Sequence, residues 1–323
     1  MPVITIKEQA LEVINHTRDK CVSLGVFCTA SHWNTEAILM AASNFAKKHR
    51  IQRIPVAVAM TFNYPHMSQA CRVTRCGRPE LGFIAIMEYL KVLCDGDDSP
   101  YSNVIVLPHL DHADPVKDKW ALTEGLPYLA SVMFDAQTYS FEENIKLTKE
   151  YVKQYGREVL VEGIMDHLSV NGNSGSAGDD NYVEKALEYV ESTKVDYLVA
   201  DLGTEQQSRT VGESVYLKAR ARNLTTNLGR GMLVLHGTSC LNEAQMRGLA
   251  DDGIVRVNMW TRIVREAGQY ATDKMLNRIR NIYTGDFEAA ESRQYLYDSI
   301  EKAADIMEGI LDSLGYKNLA GLT

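Results

Sequence analysis

Short runs of β-branched and apolar residues recur along the chain, separated by longer stretches with apolar positions three and four residues apart. The short runs are Ser23–Thr29, Ile54–Phe62, Asn103–Leu107, Leu129–Phe134, Glu158–Met165, Val195–Leu202, Met232–Leu235 and Ile254–Met259. Most are almost continuously apolar rather than alternating, the pattern of strands covered on both faces. The longer stretches predict helices over Thr35–His49, Pro79–Cys94, Ser140–Tyr155, Asn181–Ser192, Leu241–Asp251 and Thr261–Ile282, with a leading helix near Ile6–Lys20 and a tail helix near Phe287–Leu314. Strands alternating with helices in this way predict an α/β fold, a closed (β/α)8 TIM barrel with extra N- and C-terminal helices. A doubly wound open sheet is the rival, but no Gly-x-Gly-x-x-Gly follows the first strand.

At 323 residues, 45% of them hydrophobic, the chain suits one such barrel, with a C-terminal helical extension at about 285–316. No Pro/Gly/Ser stretch is long enough to divide it. The nearest, Asn171-Gly-Asn-Ser-Gly-Ser-Ala-Gly178, reads as a mobile loop after strand five. A net charge of −8 argues against a broad electrostatic grip on nucleic acid or an anionic membrane. No stretch has the length and apolarity of a spanning helix, and the N-terminus lacks the basic-then-apolar pattern of a secretory signal. Six scattered cysteines (21, 28, 71, 76, 94, 240) read as reduced thiols of a cytoplasmic protein. Cys71 and Cys76 have no second pair with which to build a zinc ribbon.

In a barrel of this kind the chemistry sits on the loops after the strand C-termini. His109, Asp111 and His112 follow strand three, Asp135 strand four, Asp166 and His167 strand five, Glu205 and Gln206 strand six, and His236 strand seven. Asn258 and Thr261 close strand eight. Two neutral imidazoles from separate strands, His112 and His236, suit Zn²⁺ with a coordination position left open; the plainer reading is two solvated loop histidines. Asp111 would move a proton on a bound substrate, or simply cap the next helix. Leu235-His-Gly-Thr-Ser239 gathers backbone N–H groups and a hydroxyl before a helix, which is either an anion site or a plain N-cap at Ser239.

These residues carry a resemblance. Leu110-Asp-His112, Ser131-Val-Met-Phe-Asp-Ala-Gln-Thr-Tyr-Ser-Phe-Glu-Glu-Asn-Ile145, Leu233-Val-Leu-His-Gly-Thr-Ser239 and Gly253-Ile-Val-Arg-Val-Asn258 resemble, in order, the class II ketose-bisphosphate aldolase family. The likeness is firmest from about residue 100 to 262 and implies a metal-dependent lyase. Such an enzyme cleaves a ketose or ketose phosphate reversibly through a metal-stabilised enediolate. By resemblance, Asp111 is the catalytic acid/base, and His112 and His236 are ligands of Zn²⁺ or another divalent metal. Asn258 contacts the ketose, Gly237, Ser239 and Thr261 hold its phosphate, and Asp135 lies near the metal and substrate. The resemblance also implies a homodimer or homotetramer acting on a small sugar or sugar phosphate.

The departures are specific. The family's third metal histidine aligns with Gln206, so Gln206 itself, Glu205, His109 or His167 completes the ligand set, or none does. The glycine after it is Gln207, the acidic residue of the strand-eight phosphate motif is Trp260, and Arg209 and Arg262 are added cations. A remodelled pocket implies a ketose other than that of the ordinary glycolytic enzyme. The alternatives are another reaction on the same scaffold, an isomerase or a different lyase, and a non-catalytic homologue that lost a complete metal shell. Along the tail helix, Ile300, Ala303, Met307 and Ile310–Leu311 form an apolar stripe that covers either the parent barrel or a dimer partner.

Overall fold

A computed structural model describes residues 2–170, 181–206, 216–286, 288 and 292–321. The Gly/Ser-rich loop at 171–178, Gln207 and Arg209 lie outside the described residues.

Eight strands form the barrel: β1 (Leu24–Cys28), β2 (Ile54–Thr61), β3 (Val104–Ala113), β4 (Ser131–Phe134), β5 (Leu160–Ile164), β6 (Tyr197–Val199), β7 (Leu233–Leu235) and β8 (Ile254–Met259). They pair in parallel and close in the order β1-β8-β7-β6-β5-β4-β3-β2. Nearly every strand residue is buried, as the unbroken apolar runs require of a sheet covered by side chains inside and helices outside. The helices include α1 (Lys7–Asp19), α2 (His32–His49), α3 (Pro79–Cys94), α4 (Phe141–Tyr155), α5 (Tyr182–Thr193), α6 (Lys218–Leu228), α7 (Glu243–Met246), α8 (Thr261–Tyr283) and α9 (Ser292–Ser313), with one further turn of helix at Ala70–Val73. Their starts follow local chemistry. The Ser31 hydroxyl accepts from the Asn34 amide at 3.1 Å to cap α2, and Ser140 caps α4 through the Glu143 amide at 3.3 Å.

Several elements differ from expectation. β3 does not stop at Leu107 but runs on to Ala113, because β2 pairs with it residue for residue from Ile54↔Val104 to Thr61↔Asp111. The helix expected over Leu241–Asp251 is cut short. The capping box of Asn242 and Gln245 starts α7, and Gly248 at φ +78 turns the chain out of helical conformation. α6 lies outside the expected helices: only Ala221 and Leu224 are buried in a largely polar helix, so its periodicity is faint.

The tail is part of the barrel's support. Ala303, Met307, Ile310 and Leu311 of α9 are buried against their own molecule, where the helix packs on α2 and α8. Just beyond it, the Tyr316 hydroxyl accepts from the Gly25 amide and donates to the Pro55 carbonyl, both at 2.9 Å. That buried bridge ties the C-terminal segment to β1 and β2.

The barrel interior is not wholly apolar. Arg256 of β8 is ion-paired with Glu162 of β5, and its Nη1 donates to Ser131 Oγ at 3.0 Å. His109 of β3 joins them, Nδ1 to Ser131 Oγ at 2.9 Å and Nε2 to Glu162 at 3.6 Å. All four side chains are buried. Burial raises Glu162 to about 7 although Arg256 pulls the other way, and burial drives His109 well below its ordinary value.

Candidate active site

Asp111 and His112 are consecutive residues, and in a regular strand their side chains would point to opposite faces. The register between β3 and β4 shifts between Leu110 and Ala113, and His112 takes φ +48, a left-handed conformation unfavourable for a residue with a Cβ. This kink at the strand end breaks the alternation and aims both side chains into one cleft.

That cleft opens at the C-terminal mouth of the barrel. Its walls include Asp111, His112, Gln206, His236, Gly237, Ser239, Asn258 and Thr261, all anticipated from the sequence, together with Cys28, Tyr64, Gln69 and Trp260. One donor atom each from Asp111, His112 and His236 lies within 4.8 Å of the other two. Among the described residues this is the one such cluster of three or more His, Cys, Asp or Glu side chains. The two imidazoles meet edge to face with centroids 5.1 Å apart.

Each of the three has its own support. Asn258 Nδ2 donates to Asp111 Oδ1 at 2.9 Å, and the Cys28 thiol lies 3.1 Å from Asn258 Oδ1 and 3.6 Å from Asp111 Oδ2. Burial, reinforced by the Asp111 charge, pushes that thiol well above its ordinary value, so Cys28 is a neutral donor. His112 Nδ1 donates to Asp135 Oδ2 at 2.7 Å, and the Gln137 side chain donates to the same oxygen at 2.8 Å. Burial alone would lower His112, but Asp111 and Asp135 outweigh it and raise the imidazole; the same contact holds the Asp135 carboxyl low against its own burial. Burial pushes His236 down to about 4; Asp111 opposes the shift and His112 adds to it. His236 is therefore neutral near pH 7, and its Nε2 is buried with no hydrogen-bond partner.

Several expected residues are not where the sequence put them. Asp135 is next to His112, as the resemblance implies, but behind the ring, where it fixes the imidazole's orientation and lines the adjoining cavity rather than the cleft. His109 lies inside the barrel, spent on Ser131 and Glu162, and so does not complete a ligand set. Glu205 meets the region through its backbone, its amide facing Cys240 Sγ at 3.4 Å and its carbonyl accepting from Ser239 at 3.4 Å. His167 is exposed, and it lines a neighbouring cavity rather than the cleft. Gln206 does reach His112, Nε2 to Nε2 at 3.2 Å. Cys28, at the end of β1, and Tyr64 and Gln69, in the loop after β2, also face the cleft, and the rule that gathers function at strand C-termini covers them equally.

The model of the fructose-bisphosphate aldolase class-II family matches residues 8–318. The chain belongs to that family. A fructose-bisphosphate aldolase of Giardia intestinalis is 33% identical over 172 residues, 52% of this chain and 52% of that protein. One from Staphylococcus aureus is 28% identical over 218 residues, 66% of this chain and 71% of the other. The chain thus spans about half the length of the Giardia relative it matches. The crystal structure of a Campylobacter jejuni fructose-bisphosphate aldolase superposes with a TM-score of 0.74 at 17% identity, covering 97% of this chain and 95% of that one. The YdjI aldolase of Escherichia coli K12 superposes with a TM-score of 0.62 at 20% identity, covering 92% and 94%. Likeness at such identity establishes the barrel.

Proposed function

We propose that the protein is a metal-dependent lyase that reversibly cleaves the bond between the α and β carbons of a ketose or ketose phosphate, one carbon away from its carbonyl. The observation that carries this reading is the convergence of Asp111, His112 and His236 at the mouth of the barrel, in a chain of this family. The donor set fits a divalent cation. Asp135 fixes His112 with its proton on Nδ1, so the Nε2 lone pair faces the cleft, and the buried Nε2 of His236 has no other partner. His112 and His236 would hold the metal, with Zn²⁺ the ion their imidazoles suit best. A bound cation supplies a Lewis acid that takes up the negative charge developing on the carbonyl oxygen.

The proton work falls to Asp111. Its carboxylate accepts the hydroxyl proton from the carbon beyond the scissile bond; that O–H pair becomes a carbonyl, the carbon–carbon bond breaks, and its electrons pass to the ketone half. In the reverse direction Asp111 returns the proton. Asn258 positions the carboxylate through its 2.9 Å hydrogen bond. A phosphate on the ketose would sit against Gly237, Ser239 and Thr261, where the N-terminus of the 23-residue α8 presents unpaired amides. A cytoplasmic homo-oligomer, as is common in the family, goes with this reading.

Metal analysis tests it directly. About one zinc per chain, lost in His236→Ala, supports the proposal. A protein that takes up no metal after incubation with zinc would instead fit a barrel that kept its fold and lost its shell, the reading that the substitution at Gln206 favours. A retro-aldol screen of ketoses and ketose phosphates with the loaded enzyme then identifies the substrate.

A further inference from the structure

Gln206 and Tyr64 form a continuous chain of contacts with the proposed metal site. The Tyr64 ring stacks on His112, centroids 4.3 Å apart and planes at 11°. Its hydroxyl donates to Gln206 Oε1 at 3.3 Å, and Gln206 Nε2 lies 3.2 Å from His112 Nε2. At the far end His112 Nδ1 donates to Asp135.

The direction of these bonds follows from what each group can do. The Asp135 carboxylate only accepts, so His112 donates from Nδ1, and in the singly protonated form, the one that can bind a cation, Nε2 carries a lone pair. Opposite that lone pair the Gln206 amide must present N–H, because its oxygen would set two lone pairs against each other. Tyr64 then fixes the choice by donating to the amide oxygen on the other side. The order runs Tyr64 O–H to Gln206 oxygen, Gln206 N–H to His112 Nε2, and His112 Nδ1–H to Asp135.

We propose that Gln206, oriented by Tyr64, is a latch that competes with the divalent cation for Nε2 of His112 and thereby sets the affinity of the site. The inference rests on the metal-dependent reading given above. His112 Nε2 has one lone pair, and it cannot accept the Gln206 hydrogen bond and coordinate a cation together. Binding therefore requires the amide to withdraw, or to turn its oxygen inward, which breaks the Tyr64 bond as well. Tyr64, His112 and Gln206 are also the three residues common to the main cleft and the adjoining cavity lined by Asn63, His66, Lys117 and His167.

The test is the affinity of the purified protein for Zn²⁺ alone, measured by competition with a chromophoric chelator. Gln206→Ala removes the competitor and should tighten Zn²⁺ binding by roughly fivefold or more, the worth of one neutral hydrogen bond. Tyr64→Phe keeps the stacked ring, frees the amide to rotate, and should tighten binding by a smaller factor. In the metal-free protein, the ¹⁵N resonance of His112 Nε2 should move towards that of an unbonded imine nitrogen in Gln206→Ala, a readout independent of activity. Zn²⁺ binding that is unchanged in Gln206→Ala overturns the latch, and weaker binding overturns it by making Gln206 a ligand. Binding that is unchanged in Tyr64→Phe removes Tyr64 from it. Failure of the wild type and both variants to bind zinc would overturn the metal-dependent reading together with the latch, whereas measurable binding with the wrong order overturns the latch alone.

Discussion

The chemistry of this site depends on a few side chains whose surroundings leave them little choice. Asp111 receives a hydrogen bond from Asn258 and lines the cleft, where a substrate hydroxyl can reach it. Asp111→Asn should retain the fold and bound metal yet lower retro-aldol turnover by roughly 10²–10⁴-fold, the usual range for a lost acid/base. Steady-state kinetics with metal analysis of the same sample checks it, and an unchanged rate would take Asp111 out of the mechanism. The cysteines divide by environment as sharply. Burial raises Cys28, reinforced by Asp111, and burial raises Cys94 to about 12, whereas the Thr74 hydroxyl lowers the exposed Cys76. Since only thiolates alkylate readily, iodoacetamide at about pH 8 should modify Cys76 well before Cys28 or Cys94 in the folded protein. Timed quenching and peptide mass spectrometry will read the order; early labelling of Cys28 would mean its burial is not maintained.

At the scale of elements, the strand ends decide the site's shape. β3 outruns its expected length and then kinks, and that kink brings two neighbouring residues to one face. The turn after β7 is constrained differently. Gly237 has φ +69, and a Cβ there would come within 2.8–2.9 Å of the backbone of Thr204 and Glu205. Those backbone atoms cannot swing aside as a flexible side-chain tip would. Gly237→Ala should therefore push β6 and β7 loops apart, costing about 2 kcal/mol from conformational strain and crowding together. It should also weaken substrate binding, because Ser239 and Gln206 ride on the two displaced segments. Urea denaturation gives the stability, and the Michaelis constant reports the site. Full stability in this variant would show that the close approach is relieved cheaply.

For the whole molecule, the buried Arg256–Glu162 pair inside the barrel is the feature whose loss should be felt most. The two partners are not equivalent. Glu162, raised to about 7, can take up a proton and become neutral, while a guanidinium cannot shed its charge. Glu162→Gln strands a buried cation and should cost roughly 3–5 kcal/mol. Arg256→Met leaves a carboxyl that neutralises itself, and should cost less at about pH 5.5 than at about pH 8. Without Arg256 its downward pull on Glu162 is lost, so the variant's folded carboxyl keeps its proton to a higher pH than the wild type's value of about 7. Below about 7 both folded proteins hold that proton and the cost is level; above it the wild-type carboxylate ionises against Arg256 while the variant's has no such partner, so the cost grows as pH rises. Denaturation of both variants at the two pH values will show whether the costs rank this way.

Much of this could be read from the sequence, and for a definite reason. The continuous apolar runs of Ile54–Phe62 and Ile254–Met259 and the helical spacing of Pro79–Cys94 are local patterns, and burial on both faces of a parallel sheet leaves few other arrangements for them. The same logic put Asp111, His112, His236, Gly237, Ser239, Asn258 and Thr261 at one mouth, since barrel topology gathers all strand C-termini there. What the sequence could not supply was direction. Whether Asp135 faces the cleft or backs His112, whether His109 points to the mouth or into the barrel, and which way the Gln206 amide turns depend on partners distant in sequence. Side-chain orientation is settled by long-range contacts, and only the closed barrel brings those partners together.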